Sequence, residues 1–161
     1  MPRGGVCVWL ALALAAVTAR AEPNAKYYLS LSTVANQTGR AQTDMDQIVL
    51  TSVRRKLEAA GSVQFAPAAE SPEKAREVLK SRQMKGFYLA IAARRFDYAG
   101  DNLRVKVTIG VFNYPNKSLL GNVDKTVTAQ GVSQPDKASE DRLLELAAGL
   151  AAEQFASGFL R

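Results

Sequence analysis

The chain has 161 residues, with 21 lysines and arginines, 15 aspartates and glutamates and no histidine. A chain of this length forms one domain and buries about two-thirds of its unfolded surface, so it needs no disulfides for stability. Its only cysteine, Cys7, lies near the N-terminus. The composition excludes histidine-dependent triads and, once the N-terminal segment is removed, cysteine nucleophiles and the usual zinc ligand sets. Common glycine-rich nucleotide motifs are also absent from the sequence, which predicts no cofactor and no metal.

The N-terminus predicts export. Arg3 precedes an apolar run of 12 residues, 6–17, which is shorter than the roughly 20 residues that a membrane span requires. Ala19-Arg20-Ala21 then fits the small-residue pattern for signal-peptide cleavage, with a cut after Ala19 and an uncleaved anchor as alternatives. The sequence therefore predicts a signal peptide over residues 1–21 and a single periplasmic or secreted domain over 22–161. Since Cys7 lies at the start of the apolar run rather than after it, a lipid anchor is not expected.

Charge suggests the kind of partner. Without Arg3 and Arg20 the domain keeps 19 basic and 15 acidic residues, a net charge of +4. In an exported protein this favours an acidic protein, an anionic envelope polymer or lipid headgroups over nucleic acid. Solubility alone explains so modest a charge equally well.

The first half of the domain predicts alternating strands and helices. Residues 27–34 carry apolar side chains on both faces, which is typical of a central strand, and the turn residues 36–39 end it. Thr43 is a suitable N-cap for an amphipathic helix that ends at Gly61. Its apolar positions recur with helical spacing: Met45, Ile48, Val49, Val53, Leu57 and Ala60. A short strand over 63–65 and a helix that begins at Ser71-Pro72-Glu73 and ends near Lys85-Gly86 follow.

The second half predicts a meander and a long helix. Residues 87–98, 103–111 and 119–129 each alternate apolar and polar side chains and are joined by short turns, which is typical of three antiparallel strands. A last helix from about Lys137 to Phe159 has a broad apolar face that includes Leu150, and Gly149 in that helix is expected to allow close approach to a sheet. The order β-α-β-α-β-β-β-α predicts an α+β fold, a mixed sheet of about five strands with helices packed on it.

Two features are candidates for recognition. The first is the outward row Arg104, Lys106 and Thr108, expected to lie beside Asp124, Thr126 and Thr128 on the next strand. Cross-strand pairing of lysine with aspartate is the structural explanation of the same pattern. The second is the polar loop 36–42, with Asn36, Thr38 and Arg40, because loops at strand ends often carry function.

Carboxylate pairs are the remaining candidates for catalysis. Asp97 and Asp101 flank the first meander turn, and Asp44 and Asp46 lie at a helix start. Turn and capping roles explain both pairs without catalysis. Ser71 and Lys74 have the spacing of a serine–lysine pair, but Ser71 is expected to cap its helix. A non-enzyme is the main hypothesis, and a small carboxylate-dependent hydrolase is the alternative.

The layout resembles a known family. The quoted residues are the strand-end turn Asn36-Gln37-Thr38-Gly39, the helix end Leu57, Ala60 and Gly61, the strand Val63 to Phe65, and Gly86-Phe87-Tyr88-Leu89 at the start of the meander. Over residues 26–160 this is similar to the bacterial envelope domains of the curli-secretion (CsgG) and LpoB-like penicillin-binding-protein-activator group, related in fold to the N-terminal domain of TolB. The chain departs from that pattern because it lacks a lipidated cysteine and a long tether.

The resemblance implies a domain that binds envelope machinery without catalysis. The sequence thus predicts an exported adaptor that contacts another envelope component through the meander surface or the 36–42 loop. A structural subunit that oligomerises through a sheet edge is a further alternative.

Overall fold

The computed structural model describes residues 24–161, so the predicted signal peptide over 1–21 lies outside the described residues. None of the helices in the described part is long and apolar enough to cross a membrane. The strands are β1 (Tyr27–Leu31), β2 (Ala35–Asn36), β3 (Val63–Phe65), β4 (Lys85–Ala93), β5 (Asp97–Ala99), β6 (Asn102–Asn113) and β7 (Leu119–Gln130). The helices are α1 (Gln42–Met45), a π-helical segment (Asp46–Leu50), α2 (Thr51–Ala60), α3 (Pro72–Arg82) and α4 (Lys137–Phe159).

All seven strands form one mixed sheet. Its order is β3-β1-β4-β6-β5, with β2 paired to β4 and β7 paired to β6. Strands β3, β1 and β4 are parallel, and β6 runs antiparallel to β4, β5 and β7. The α+β class and the antiparallel arrangement of the second half are therefore confirmed. The sheet has seven strands rather than about five because of two divisions: β2 follows β1 just beyond the strand predicted over 27–34, and the strand predicted over 87–98 is divided into β4 and β5.

The first division separates β1 from β2. Both strands pair with β4, and the chain leaves the ladder between them at residues 32–34. The side chain of Ser32 compensates, since its Oγ accepts a hydrogen bond from the Ile91 amide at 3.0 Å. A polar side chain thus replaces a backbone acceptor at the break.

The second division separates β4 from β5. The single strand predicted over residues 87–98 is wrong, because the buried positions change parity: Ile91 and Ala93 face the helices, but so do Phe96 and Tyr98. An extra residue must be inserted to keep both pairs on one side of a sheet. Arg94 and Arg95 occupy this irregular segment, and both are exposed.

The helical region after β2 begins two residues earlier than predicted. Ala41 is the N-cap and makes no side-chain capping bond, so the assignment of Thr43 as the cap is wrong. Asp46 does not cap this helix either, because its Oδ1 accepts a hydrogen bond from the Val34 amide at 2.8 Å. This tie lies where the helix widens into π geometry, a form usually seen as a local bulge.

Helices α2 and α4 cover one face of the sheet. Their buried residues meet the inward positions of the strands in a single core. Gly149 lies against Ser52 and Lys56 of α2, so the close approach that it allows is to a helix rather than to the sheet. Leu150, predicted on the apolar face of α4, is instead 37% exposed.

Helix α3 packs on the opposite face of the sheet, near strand β1. Its N-cap is Ser71, as predicted, and the Ser71 Oγ accepts from the Lys74 amide. The Leu79 side chain lies directly over Gly86, leaving no room for a larger residue there. Gly86 pairs with Tyr28 in the register of β1 and β4, which places α3 over the tyrosine side of the sheet.

Candidate recognition surface

The sheet face opposite α2 and α4 is mostly polar, and the part of it along β4, β6 and β7 is called the open face. The alternation of buried and less buried residues along β4, β6 and β7 identifies it. The register pairs Tyr88 with Phe112, Ala90 with Gly110 and Ala92 with Thr108. The members of the open face are Tyr88, Ala90 and Ala92 on β4, Arg104, Lys106, Thr108, Gly110 and Phe112 on β6, and Asp124, Thr126 and Thr128 on β7.

The predicted row of Arg104, Lys106 and Thr108 lies on the open face. Thr108 Oγ1 donates a hydrogen bond to Asp124 Oδ1 at 2.6 Å, and Lys106 Nζ lies 3.5 Å from Asp124 Oδ2. The Thr108 hydrogen bond, helped by the positive charge of Lys106 and opposed by partial burial, holds the pKa of Asp124 below its usual range. Cross-strand pairing therefore occupies Lys106 and Thr108. Arg104 is exposed, and no ion pair joins it to a carboxylate among residues 24–161.

Arg94 connects the two predicted features. Its Nη1 donates to Gln37 Oε1 at 2.9 Å, and its amide donates to the Lys106 carbonyl at 3.0 Å. Its charge also contributes to the lowered pKa of Asp124. Arg94 therefore adds a third basic group between the row and the 36–42 loop. Adjacent arginines interrupting an apolar alternation were the sequence signal for this position.

The 36–42 loop is held by its own side chains. Asn36 Oδ1 accepts from the Thr38 amide at 3.0 Å and from Thr38 Oγ1 at 2.7 Å. Asn36 Nδ2 donates to the Arg40 carbonyl at 2.8 Å. Asparagine and threonine form such side-chain turns readily. The polar groups of Asn36 and Thr38 thus order the turn.

Arg40 fastens the loop to α4. Its side chain is only 15% exposed and forms ion pairs with Glu140, Asp141 and Asp44. Tyr98 on β5 donates to the other oxygen of Glu140 at 2.6 Å. Burial, together with this hydrogen bond, raises the pKa of Tyr98 to about 12. The structure therefore brings Asn36, Thr38 and Arg40 together in one turn at the end of β2, with the charge of Arg40 directed into the molecule.

The carboxylates considered for catalysis have structural surroundings. Asp97 and Asp101 are exposed on the β5–β6 hairpin. Asp44 pairs with Arg40, and Asp46 accepts from Val34. Within residues 24–161 no group of three or more histidine, cysteine, aspartate or glutamate side chains is placed to hold a metal ion.

No protein-family model and no curated protein matches this sequence. Among solved structures, protein XCC0632 from Xanthomonas campestris, of family-model DUF330, is 17% identical, with 84% of this chain and 85% of that chain covered and a TM-score of 0.51. The PelC dodecamer from Paraburkholderia phytofirmans is 22% identical, with coverages of 83% and 86% and a TM-score of 0.44. Lipoprotein GNA1162 from Neisseria meningitidis is 14% identical, with coverages of 82% and 99% and a TM-score of 0.45.

The likeness to protein XCC0632 shows a shared fold and nothing further. The mixed α+β fold thus occurs in a Xanthomonas campestris protein of family-model DUF330. These likenesses do not confirm the specific resemblance to the CsgG and LpoB-like group, which stays a prediction.

Proposed function

We propose that this chain is an exported, non-enzymatic binding domain of the bacterial cell envelope that contacts another envelope protein through the open face. The observation that carries the proposal is the unequal covering of the sheet. Helices α2 and α4 cover one face and bury its residues on β4 and β6, whereas the other carries Arg94, Arg104 and Lys106 beside small and hydroxylated residues.

The composition of the open face suits protein contact. Tyr88 and Phe112 are partly buried, and their ring centroids lie 6.0 Å apart. Arginine and aromatic side chains are enriched at protein interfaces because they combine large contact area with polar groups. Ala90, Ala92 and Gly110 leave the centre of the face shallow, so a partner can approach the sheet closely. The basic groups favour an acidic partner surface.

The 36–42 loop extends this surface. Gln37 contacts Arg94, and Asn36 pairs with Ala93 at the end of β4. The turn formed by Asn36, Thr38 and Arg40 therefore borders the open face, and its exposed backbone is included in the proposed surface. The internal hydrogen bonds of the turn keep its shape fixed before binding, which reduces the entropy lost on association.

Charge reversal on the open face tests the proposal. The double variant Arg104→Glu/Lys106→Glu is expected to lose its crosslinked partner in intact envelopes, detected by mass spectrometry. Its melting temperature should fall by no more than about 4 °C, since Arg104 is exposed and the partly exposed Lys106–Asp124 pair that the variant breaks contributes roughly 0–1 kcal/mol. Lys74→Glu/Lys80→Glu on exposed α3 makes the same charge change away from the open face and should retain the partner. Equal retention by both variants would exclude the open face as the binding surface.

A structural subunit is the second candidate, and strand β7 favours it. This strand has 12 residues and pairs with β6 along one side only. Leu119 and Leu120 at its start are 63% and 46% exposed. Long unpaired edges with exposed apolar residues are templates for pairing with another chain.

Solution mass separates this second candidate from the first. Light scattering during size-exclusion chromatography should show an oligomer that Leu119→Glu/Leu120→Glu converts to monomer. The matched pair Leu146→Glu/Leu150→Glu alters the exposed leucines of α4 instead and should leave the mass unchanged. A monomer at all concentrations in the parent protein would reject oligomerisation through β7.

A further inference from the structure

A crevice lies at the carboxyl ends of β1 and β3, away from Arg104 and Lys106. The chain leaves β1 towards α2 on the core side of the sheet, and it leaves β3 towards α3 on the opposite side. Two neighbouring parallel strands whose connections diverge in this way create a gap beyond their carboxyl ends, where ligands of α/β sheets bind. Here the gap has a volume of about 560 Å³, within the range of small-molecule sites.

Two cations face this crevice without carboxylate partners. The Arg54 guanidinium lies 4.7 Å from the centre of the Phe65 ring, and the Lys117 ammonium lies 4.4 Å from the centre of the Tyr88 ring. Among the described residues, neither cation lies within ion-pair distance of an aspartate or glutamate. Stacking on aromatic rings positions a cation without neutralising it. The crevice is therefore prepared for an anionic group.

The remaining lining is hydroxylated and aromatic. Ser30 in β1 and Thr33 just after that strand contribute hydroxyls, and Tyr88 and Tyr114 contribute partly exposed rings. Glu70 also lines the crevice. Its two oxygens accept hydrogen bonds from Tyr28 at 2.7 Å and from Tyr114 at 3.1 Å.

These bonds hold a carboxylate at a fixed place in the wall, where its free lone pairs can accept from ligand hydroxyls. Burial, followed by the hydrogen bond to Glu70, raises the pKa of Tyr114, which keeps this phenol protonated and donating.

We propose that this crevice binds an anionic saccharide, with Arg54 and Lys117 each pairing with an acidic group of it and the tyrosines, serine and threonine contacting its rings and hydroxyls. An inorganic anion would use the two cations but would have no use for the aromatic walls or for the fixed carboxylate. A neutral sugar would use the walls but leave both cations without a counter-charge. A ligand that combines a sugar ring with an acid uses every part of the lining.

The site is separate from the proposed protein-binding surface in its critical residues. The crevice residues Arg54, Glu70 and Lys117 are not members of the open face. Only Tyr88 belongs to both the crevice and the open face. Loss of the protein partner and loss of the saccharide can therefore be measured independently, because different variants remove them.

Titration calorimetry of the purified protein with a galacturonate tetramer and with a glucuronate tetramer tests the proposal. At least one of these acids should bind, and the methyl ester of that tetramer, which has the same rings without charge, should bind at least 10-fold more weakly. The variant Arg54→Gln/Lys117→Gln should lose at least 10-fold in affinity, whereas Arg55→Gln/Lys80→Gln, with the same loss of charge elsewhere, should bind as the parent does. Circular dichroism should show that all variants are folded.

Three results would overturn the proposal. They are no binding of either acid at millimolar concentration, equal binding of the acid and its ester, and unchanged affinity in the Arg54→Gln/Lys117→Gln variant. Binding of inorganic phosphate as tightly as the acidic tetramers would also overturn it, since the aromatic walls would then contribute nothing.

Discussion

The two faces of the sheet differ in what their side chains do. On the covered face, Leu89, Ile109 and Leu144 are fully buried, and Phe155 packs edge-on against Phe87 with ring centroids 5.6 Å apart. On the open face, the same strands carry alanine, glycine, threonine and charged residues. Alternate residues of one strand therefore belong to the core and to the proposed binding surface, because successive side chains point to opposite sides of a sheet. Changes on the two faces should have different consequences.

The largest effect is expected from the covered face. Phe155→Ala should lower the free energy of unfolding by about 3–5 kcal/mol, since it removes a fully buried ring and leaves a cavity beside Phe87. Phe112→Ala on the open face removes the same group from a partly exposed site and should cost about 1–2 kcal/mol or less. Urea unfolding of both variants measures the difference. Equal losses would mean that the open face is covered in solution, for example by a second copy of the chain.

An intermediate effect is expected where the 36–42 loop meets the covered face. Arg40→Ala should cost about 2 kcal/mol, because it removes the charged hydrogen bonds to Glu140 and Asp141 and leaves Glu140, itself buried, with Tyr98 alone. Arg55→Ala breaks another arginine–glutamate pair to α4, but both of its side chains are about half exposed.

Exposed pairs contribute roughly 0–1 kcal/mol, so Arg55→Ala should be nearly neutral in the same unfolding experiment. A neutral Arg40→Ala would show that the buried network does not hold the loop.

The smallest effect is a change in acid sensitivity. Hydrogen bonds from Lys137 and Arg40, together with the charges of those residues, outweigh burial and hold the pKa of Asp141 below its usual range. A depressed carboxyl pKa adds stability above the unfolded value, near pH 4, and that stability is lost as the pH falls through the folded value.

Asp141→Asn should therefore be less stable than the parent at pH 7 and should lose less stability between pH 5 and pH 2. Chemical unfolding at several pH values measures both quantities. The same acid slope in the parent and the variant would contradict the assignment.

Local patterns in the sequence were sufficient to predict most of the helices and strands. The alternation of residues 103–111 predicted β6, Ser71-Pro72 predicted the start of α3, and the last helix was predicted with the bounds that the structure has. Each of these signals acts within a few residues, through side-chain period or capping. The division of β4 from β5 also had such a signal, the change of parity after Ala93, which the single-strand prediction passed over.

The candidate surfaces were less predictable because they depend on residues distant in sequence. The row of Arg104, Lys106 and Thr108 was found because one strand displays it. Arg94 was missed because its importance comes from Gln37 and Asp124, which lie on other elements. The outward charge expected of Arg40 is directed into the molecule by Glu140, 100 residues away.

By itself the sequence determined the α+β class, the antiparallel second half and the basic character of β6, since period, turn residues and charge are local properties. Only the tertiary structure decided that α2 and α4 cover one face while the other stays open along β4, β6 and β7, beyond the part that α3 covers. The tertiary structure alone also brings Arg54 and Lys117 to the same crevice. Which side of a sheet a helix covers depends on the direction of each connection between strands, and that direction is set by packing among segments far apart in the chain.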